Sequence, residues 1–136
     1  MPISTVRYFG DLRMECTHLP SNSKILVDAP IDNHGRGEAF SPTDLFCTSL
    51  ACCAMNIIGV YADENELDIS GMSAEVSKTM FSDPRRVGAV EVIITMPERE
   101  YSEWNKLNME NGIKKCPVGL SLNPEIDLDM RIVWSK

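Results

Sequence analysis

The sequence lacks the motifs of several common kinds of chemistry. Neither G-x-G-x-x-G nor G-x-x-x-x-G-K-[ST] occurs in its 136 residues, so the best-known nucleotide-binding loops are excluded. It contains no H-E-x-x-H and no C-x-x-C, the spacings typical of zinc sites. Only two histidines are present, His18 and His34, and they offer little support for a hydrolase triad. We therefore predict that the protein uses no metal and no cofactor.

Basic residues are also few. The chain has 13 Lys and Arg against 20 Asp and Glu, a net charge of −7, and no basic cluster. Phosphates would repel such a surface, so we predict no nucleic-acid partner. With 43% hydrophobic and 24% charged residues, the composition excludes general disorder. A chain of this size can bury roughly two-thirds of its unfolded surface, which predicts one domain over residues 1–136.

The N-terminal residues contain no apolar stretch typical of a secretory signal, so we expect a cytoplasmic protein. Five cysteines, an odd number, also argue against a secreted disulfide framework. One segment, residues 45–62, is apolar enough to be considered as a membrane span. It contains several polar residues and is flanked by Asp44 and Asp63, so we expect a buried helix and no membrane partner.

Short antiparallel strands are predicted over residues 5–28. Val6 and Tyr8 alternate with polar residues, and so do Ile25 and Val27. Glycine- and proline-containing segments interrupt this alternation, as turns between strands would.

A long helix is predicted to begin at Pro42, after a loop over residues 29–40, and to end within residues 63–66. Ser41 can accept a hydrogen bond from a free backbone N–H as the N-cap residue. Pro42 suits the first helical position because it has no N–H to lose, and Asp44 completes a variant of the capping box.

This helix is apolar around nearly its whole circumference. One apolar stripe has helical spacing, and other apolar residues fill most of the remaining surface. Such a helix must be covered on all sides, and one small sheet covers only one side. A partner subunit is the simplest source of the remaining cover. The residues of the stripe are Phe46, Leu50, Cys53, Ile57 and Val60.

A β-hairpin is predicted next. Apolar residues alternate with polar ones over residues 72–80 and again over residues 90–96. Between these segments Asp83, Pro84 and Arg85 supply the turn. The alternation predicts that each strand has one face exposed to solvent.

The last part of the chain is predicted to form a polar helix and a closing strand. The helix spans about residues 100–115, with Trp104, Leu107 and Asn108 on its inward side, and the strand covers residues 126–134. The order of strands, helix, strands, helix and strand indicates an α+β fold with antiparallel sheets.

Thiol chemistry remains the best-supported kind of chemistry. Cys53 lies in the long helix beside Ala51 and Ala54, small residues that leave room for a ligand to approach. Cys116 precedes Pro117, so a helix beginning there would have Cys116 as its N-cap. The positive end of the helix dipole would then favour a thiolate at Cys116.

Cysteine is also among the most frequently buried residue types. For Cys16, Cys47 and Cys52 we therefore favour a structural role as core residues. For Cys53 and Cys116 the residues alone leave both interpretations open.

Three segments resemble the OsmC/Ohr family of thiol peroxidases. Residues 37–46 (GEAFSPTDLF) and 49–55 (SLACCAM) are similar to its central-helix motif. Residues 116–118 (CPV) look like its second-cysteine motif, again just after a polar helix. The order of predicted elements extends the resemblance over the whole chain.

The resemblance implies an intertwined homodimer, in which antiparallel sheets pack on a long buried central helix from each subunit. It also implies a mechanism in which one thiolate cleaves the O–O bond of an organic hydroperoxide and becomes a sulfenic acid. A second cysteine then forms a disulfide with it, and a dithiol reduces the pair. Counting without a gap from the start of the helix places the family's helix cysteine at Cys53, not Cys52. Cys53 would be peroxidatic and Cys116 resolving.

The resemblance also implies an arginine from the N-terminal strands that favours the thiolate. Its strand position makes Arg13 the first candidate and Arg36 the second, and either could instead be a solvated surface residue. In the well-known peroxidase branches a glutamate follows the helix-start proline and pairs with this arginine. Here that position is Thr43, and Asp44 points about 100° away around the helix.

Two functions follow from these observations. The first is a thiol-dependent peroxidase that reduces organic hydroperoxides through a Cys53/Cys116 cycle. The alternative is a non-catalytic or sulfur-handling protein that binds a small molecule on the same dimeric fold.

Overall fold

The computed structural model of the protein describes residues 1–135. The chain forms two compact units, Met1–Phe46 and Cys47–Lys136, and each is described separately. The prediction of one domain over residues 1–136 stays a prediction.

The first unit contains a three-stranded antiparallel sheet. Its strands are β1 (Ser4–Gly10), β2 (Arg13–His18) and β3 (Ser23–Asp28), in the spatial order β1-β2-β3. The β2–β3 register places Arg13 directly opposite Asp28. The prediction of short antiparallel strands is confirmed.

A helix, α1 (Pro42–Glu64), begins in the first unit and continues into the second. Its N-terminus has the reciprocal hydrogen bonds of a capping box. The Asp44 N–H donates to Ser41 Oγ at 3.0 Å, and the Ser41 N–H donates to Asp44 Oδ2 at 3.0 Å. The predicted start and end of this helix are confirmed.

The second unit contains a sheet of three strands, β4 (Ser73–Phe81), β5 (Arg86–Thr95) and β6 (Asp127–Val133), with β5 in the centre. The predicted hairpin is confirmed, because β4 and β5 are antiparallel neighbours. Exposed and covered residues alternate along all three strands, so one face of the sheet covers the core.

One detail of the predicted sheet is wrong. The strand β6 pairs with β5 in a parallel arrangement, not an antiparallel one. Two helices, α2 (Glu103–Ile113) and α3 (Pro117–Leu120), lie between these strands in the chain. A connection of this length crosses over the sheet and returns in the same direction, which is the geometry that parallel pairing requires.

The predicted inward face of α2 is also wrong. Trp104 is 71% exposed and Leu107 is 52% exposed, whereas Met109 and Ile113 are buried. Residues four positions apart lie on one helix face, and this pair occupies the face that meets the core. Asn105 lies one turn before Met109, and its Oδ1 accepts a hydrogen bond from the Tyr61 hydroxyl at 2.7 Å.

The helix α1 supplies much of the core of the second unit. Leu50, Ala54 and Ile58 are fully buried and pack with the apolar face of β5. Another face of α1, including Val60 at 51% exposure, is uncovered in the single chain. By length and composition α1 could also cross a membrane, a criterion that core helices of soluble proteins meet as well. The α+β fold class is confirmed.

Candidate functional site

Cys53 and Cys116 come together in the second unit, as the assignment of a cysteine pair requires. Cys53 lies near the middle of α1, and Cys116 lies immediately before α3. Cys53 packs against the buried cluster that contains Cys116, and the two thiols are close enough for Cys53 to raise the pKa of Cys116. These two residues are 63 positions apart in the sequence, so only the fold brings them into contact.

Cys116 is the N-cap residue of α3, as predicted. Pro117 occupies the first turn, and the Gly119 N–H donates a hydrogen bond to Cys116 Sγ at 3.3 Å. A proline at this position costs no hydrogen bond, because the first N–H groups of a helix have no partner within it. The sulfur is therefore held at a defined place by the backbone.

The expected consequence of this cap, a thiolate at Cys116, is wrong. Burial raises the pKa of the Cys116 thiol, since the side chain is only 1% exposed, and its hydrogen bond with Cys53 raises it further. The backbone N–H groups of Gly119 and Val118 oppose this shift without overcoming it. Cys116 therefore stays protonated at neutral pH.

The other three cysteines differ in their exposure. Cys47 is buried in the core, in agreement with a structural role, and Cys16 is half-buried in β2. Cys52 is exposed, so the prediction that it is a core residue is wrong for this chain. Consecutive helix positions point about 100° apart, which places Cys52 on a different face from Cys53.

Arg13 is not a solvated surface residue. Its guanidinium makes two hydrogen bonds to the Asp28 carboxylate, Nε to Oδ1 at 2.7 Å and Nη2 to Oδ2 at 2.8 Å. The Asp28 side chain is fully buried and that of Arg13 is 19% exposed. Two parallel bonds fix the plane of a guanidinium as well as its position.

Asp28 is the residue of this region that sequence reasoning missed. The Glu38 N–H donates to its Oδ2 at 3.2 Å, and its own N–H donates to the Phe40 carbonyl at 3.0 Å. Its hydrogen bond with Arg13 is the largest reason that the pKa of Asp28 is lowered. The carboxylate is therefore charged at neutral pH and ties the loop after β3 to the sheet.

Arg36, the second candidate arginine, pairs with an exposed carboxylate and not a buried one. Arg36 forms an ion pair with Asp11 at 3.1 Å, and the Asp11 side chain is 84% exposed. An exposed pair of this kind contributes little to stability. Of the two arginines, only Arg13 is held by a buried carboxylate.

Within residues 1–135, no group of three or more His, Cys, Asp and Glu side chains is placed to hold a metal ion. The expectation of a protein without metal or cofactor stays a prediction.

The model of the family described as "OsmC-like protein" matches residues 35–131. The chain belongs to the OsmC-like family. The matched range contains both segments of the central-helix motif and the Cys116 segment, so the resemblance inferred from these motifs is confirmed. Among curated proteins, no sequence matches this OsmC-like chain.

Solved structures share the fold over nearly the whole chain. A Psychrobacter arcticus protein described as an "osmotic stress induced and detoxification response protein" is 47% identical, with a TM-score of 0.93. The match covers 98% of this chain and 96% of that one. An organic hydroperoxide resistance protein from Legionella pneumophila is 14% identical, with a TM-score of 0.72 and 97% of each chain covered. OhrB of Bacillus subtilis is 15% identical, with a TM-score of 0.65 and 96% of each chain covered. At such low identity the last two show only the fold.

Proposed function

We propose that this OsmC-like protein acts in resistance to organic peroxides, as a thiol peroxidase that uses Cys53 and Cys116. The packing of Cys53 against the buried cluster that contains Cys116 carries the proposal. Family membership supports it, and so do the organic hydroperoxide resistance proteins among the structures that share the fold.

The reaction begins at Cys53. Its thiolate attacks the terminal oxygen of an organic hydroperoxide, the O–O bond breaks, and an alcohol leaves, so that Cys53 becomes a sulfenic acid. The sulfur of Cys116 then attacks that of Cys53 and the S–O bond breaks. The proton of the Cys116 thiol ends on the departing hydroxide as water. A dithiol reduces the resulting disulfide and restores both thiols.

The protonated state of Cys116 suits a resolving cysteine. Its raised pKa keeps the proton on Cys116 until the sulfenic acid has formed. The two cysteines can therefore have separate roles. Cys53 is the nucleophile that attacks the peroxide, and Cys116 is the residue that resolves the sulfenic acid to a disulfide.

Arg13 takes the role of the cation that favours the thiolate in this proposal, as the family resemblance implies. The family's glutamate is absent at Thr43, but Arg13 has a buried carboxylate partner in Asp28. The threonine therefore does not leave this guanidinium without a partner.

A Cys116→Ser variant tests the order of the two steps. With no resolving thiol, the Cys53 sulfenic acid should accumulate after one equivalent of cumene hydroperoxide, and dimedone should trap it there. Peptide mass spectrometry locates the adduct. A dimedone adduct on Cys52, or none on any cysteine, would instead favour the alternative function, a non-catalytic or sulfur-handling protein that binds a small molecule.

A homodimer belongs to the same proposal. The face of α1 that carries Cys52, Asn56, Gly59 and Val60 is uncovered in the single chain, and a Cβ added at Gly59 would meet only open space. Residues with this spacing form one stripe along a helix, and a glycine in it allows another backbone to approach closely. We propose that a second copy of α1 packs on this stripe.

Val60→Glu should convert the protein to a monomer, because a buried unpaired carboxylate is costly at an apolar interface. Light scattering coupled to gel filtration gives the mass. Leu107→Glu on α2 is the matched control, since Leu107 has nearly the same exposure, 52% against 51%, and it should stay dimeric. A monomeric wild-type protein, or a dimer unaffected by Val60→Glu, would show that this stripe is not the interface.

A further inference from the structure

The two sulfurs of the candidate site differ in access to solvent. Cys116 is 1% exposed, and its Sγ lies under α3 with Gly119 and the core around it. Cys53 is only partly buried. An external thiol that approaches the linked cysteines therefore meets Cys53 first.

Backbone N–H groups also hold the buried Cys116 sulfur in place. The Gly119 N–H points at Sγ at 3.3 Å, and the Val118 N–H also lowers the cost of charge there. The N–H donors offset only part of the penalty that burial imposes on a charge at Cys116.

From this asymmetry the structure assigns the direction of disulfide reduction: the reductant attacks Cys53, and Cys116 is the leaving group. This inference rests on the proposed Cys53–Cys116 cycle and adds which sulfur the reductant reaches. The reductant thiolate forms a bond to Cys53 Sγ while the S–S bond breaks and its electron pair stays on Cys116 Sγ, which then takes a proton from solvent. The second thiol of a dithiol reductant then attacks the mixed disulfide and releases Cys53. The dithiol is oxidised to a disulfide, and the two cysteines are reduced.

The test uses monothiols, which stop the reaction at the mixed disulfide. The full-length protein is first oxidised with diamide, which links the two cysteines without any peroxide. It is then treated briefly with glutathione or, separately, 2-mercaptoethanol, quenched with acid, alkylated with N-ethylmaleimide and mapped by mass spectrometry. We expect both monothiols on Cys53 and N-ethylmaleimide on Cys116. 2-Mercaptoethanol is the more stringent probe. It is smaller than glutathione, so limited space around a sulfur restricts its attack less.

Each outcome decides the assignment. A monothiol on Cys116, or similar amounts on both cysteines, would overturn it. A diamide-treated protein without a Cys53–Cys116 link would overturn both the assignment and the proposed cycle. A link that forms with diamide but not with cumene hydroperoxide would count against the peroxidase alone, and the adduct map would still decide the direction of reduction. A Cys52→Ser background should give the same map, which excludes exchange through the neighbouring thiol.

Discussion

Cys53→Ser should reduce organic hydroperoxide turnover to the background rate. The serine hydroxyl is nearly isosteric with the thiol but stays protonated at neutral pH, so the O–O bond meets no nucleophile. Consumption of cumene hydroperoxide with dithiothreitol as reductant measures the effect.

Cys52→Ser is the matched control for this variant. The two residues are neighbours on α1, but Cys52 is exposed, whereas Cys53 packs against the buried cluster that contains Cys116. Turnover by Cys52→Ser should remain close to that of the wild type. Equal losses in both variants would mean that α1 itself, and not one particular thiol, has been disturbed.

Asp28→Asn should destabilise the protein more than any exposed charge substitution in the first unit. The amide is the same size as the carboxylate but removes the charge that faces the partly buried Arg13 guanidinium at 2.7 Å. Removing one member of a buried pair leaves the other charge without compensation. Thermal unfolding should show a Tm lower by several degrees at neutral pH. Asp11→Asn breaks the exposed pair with Arg36 and should leave Tm nearly unchanged.

The pH dependence of this Tm difference gives a second check. Because the pKa of Asp28 is lowered in the folded protein, its contribution to stability is present above the ordinary Asp pKa of about 3.9. It is lost as the pH falls through the lowered folded value. The difference between wild type and Asp28→Asn should therefore be constant from neutral pH to about 5 and should narrow below about 4. A difference that widens in acid would contradict the ion pair as its cause.

The parts of the fold that were predictable from the sequence depend on local patterns. The capping box of Ser41 and Asp44 lies within four residues, and the alternation in β4 and β5 follows from one exposed and one covered face. The N-cap role of Cys116 was likewise visible from the proline that follows it.

The parts that were not predictable depend on tertiary contacts. The parallel pairing of β6 is set by the crossover through α2 and α3, which no local pattern records. The inward face of α2 was misjudged because its bulkiest residue, Trp104, lies outside the core while Met109 fills it. The raised pKa of Cys116 required its burial and its contact with Cys53, and a cap motif alone indicates the opposite shift.

The role of Asp28 at the candidate site also depends on a tertiary contact that the sequence does not show. Asp28 directly follows the apolar run Ile25-Leu26-Val27. A carboxylate that is buried at this position needs a cationic partner. The sequence identified Arg13 from the family resemblance, but the pairing becomes visible only through the β2–β3 register, which sets the two residues opposite each other.

The most direct test of the central claim is the fate of the thiols after one equivalent of cumene hydroperoxide. Free thiols are alkylated in the native protein before unfolding, and intact mass and peptide mapping follow. We expect a loss of two mass units in a sample measured without alkylation, and in the alkylated sample a disulfide between Cys53 and Cys116 in place of two thiols. Unchanged thiols, or oxidation distributed over Cys16, Cys47 and Cys52, would contradict a two-cysteine peroxidase and would point to a protein that binds its ligand without this chemistry.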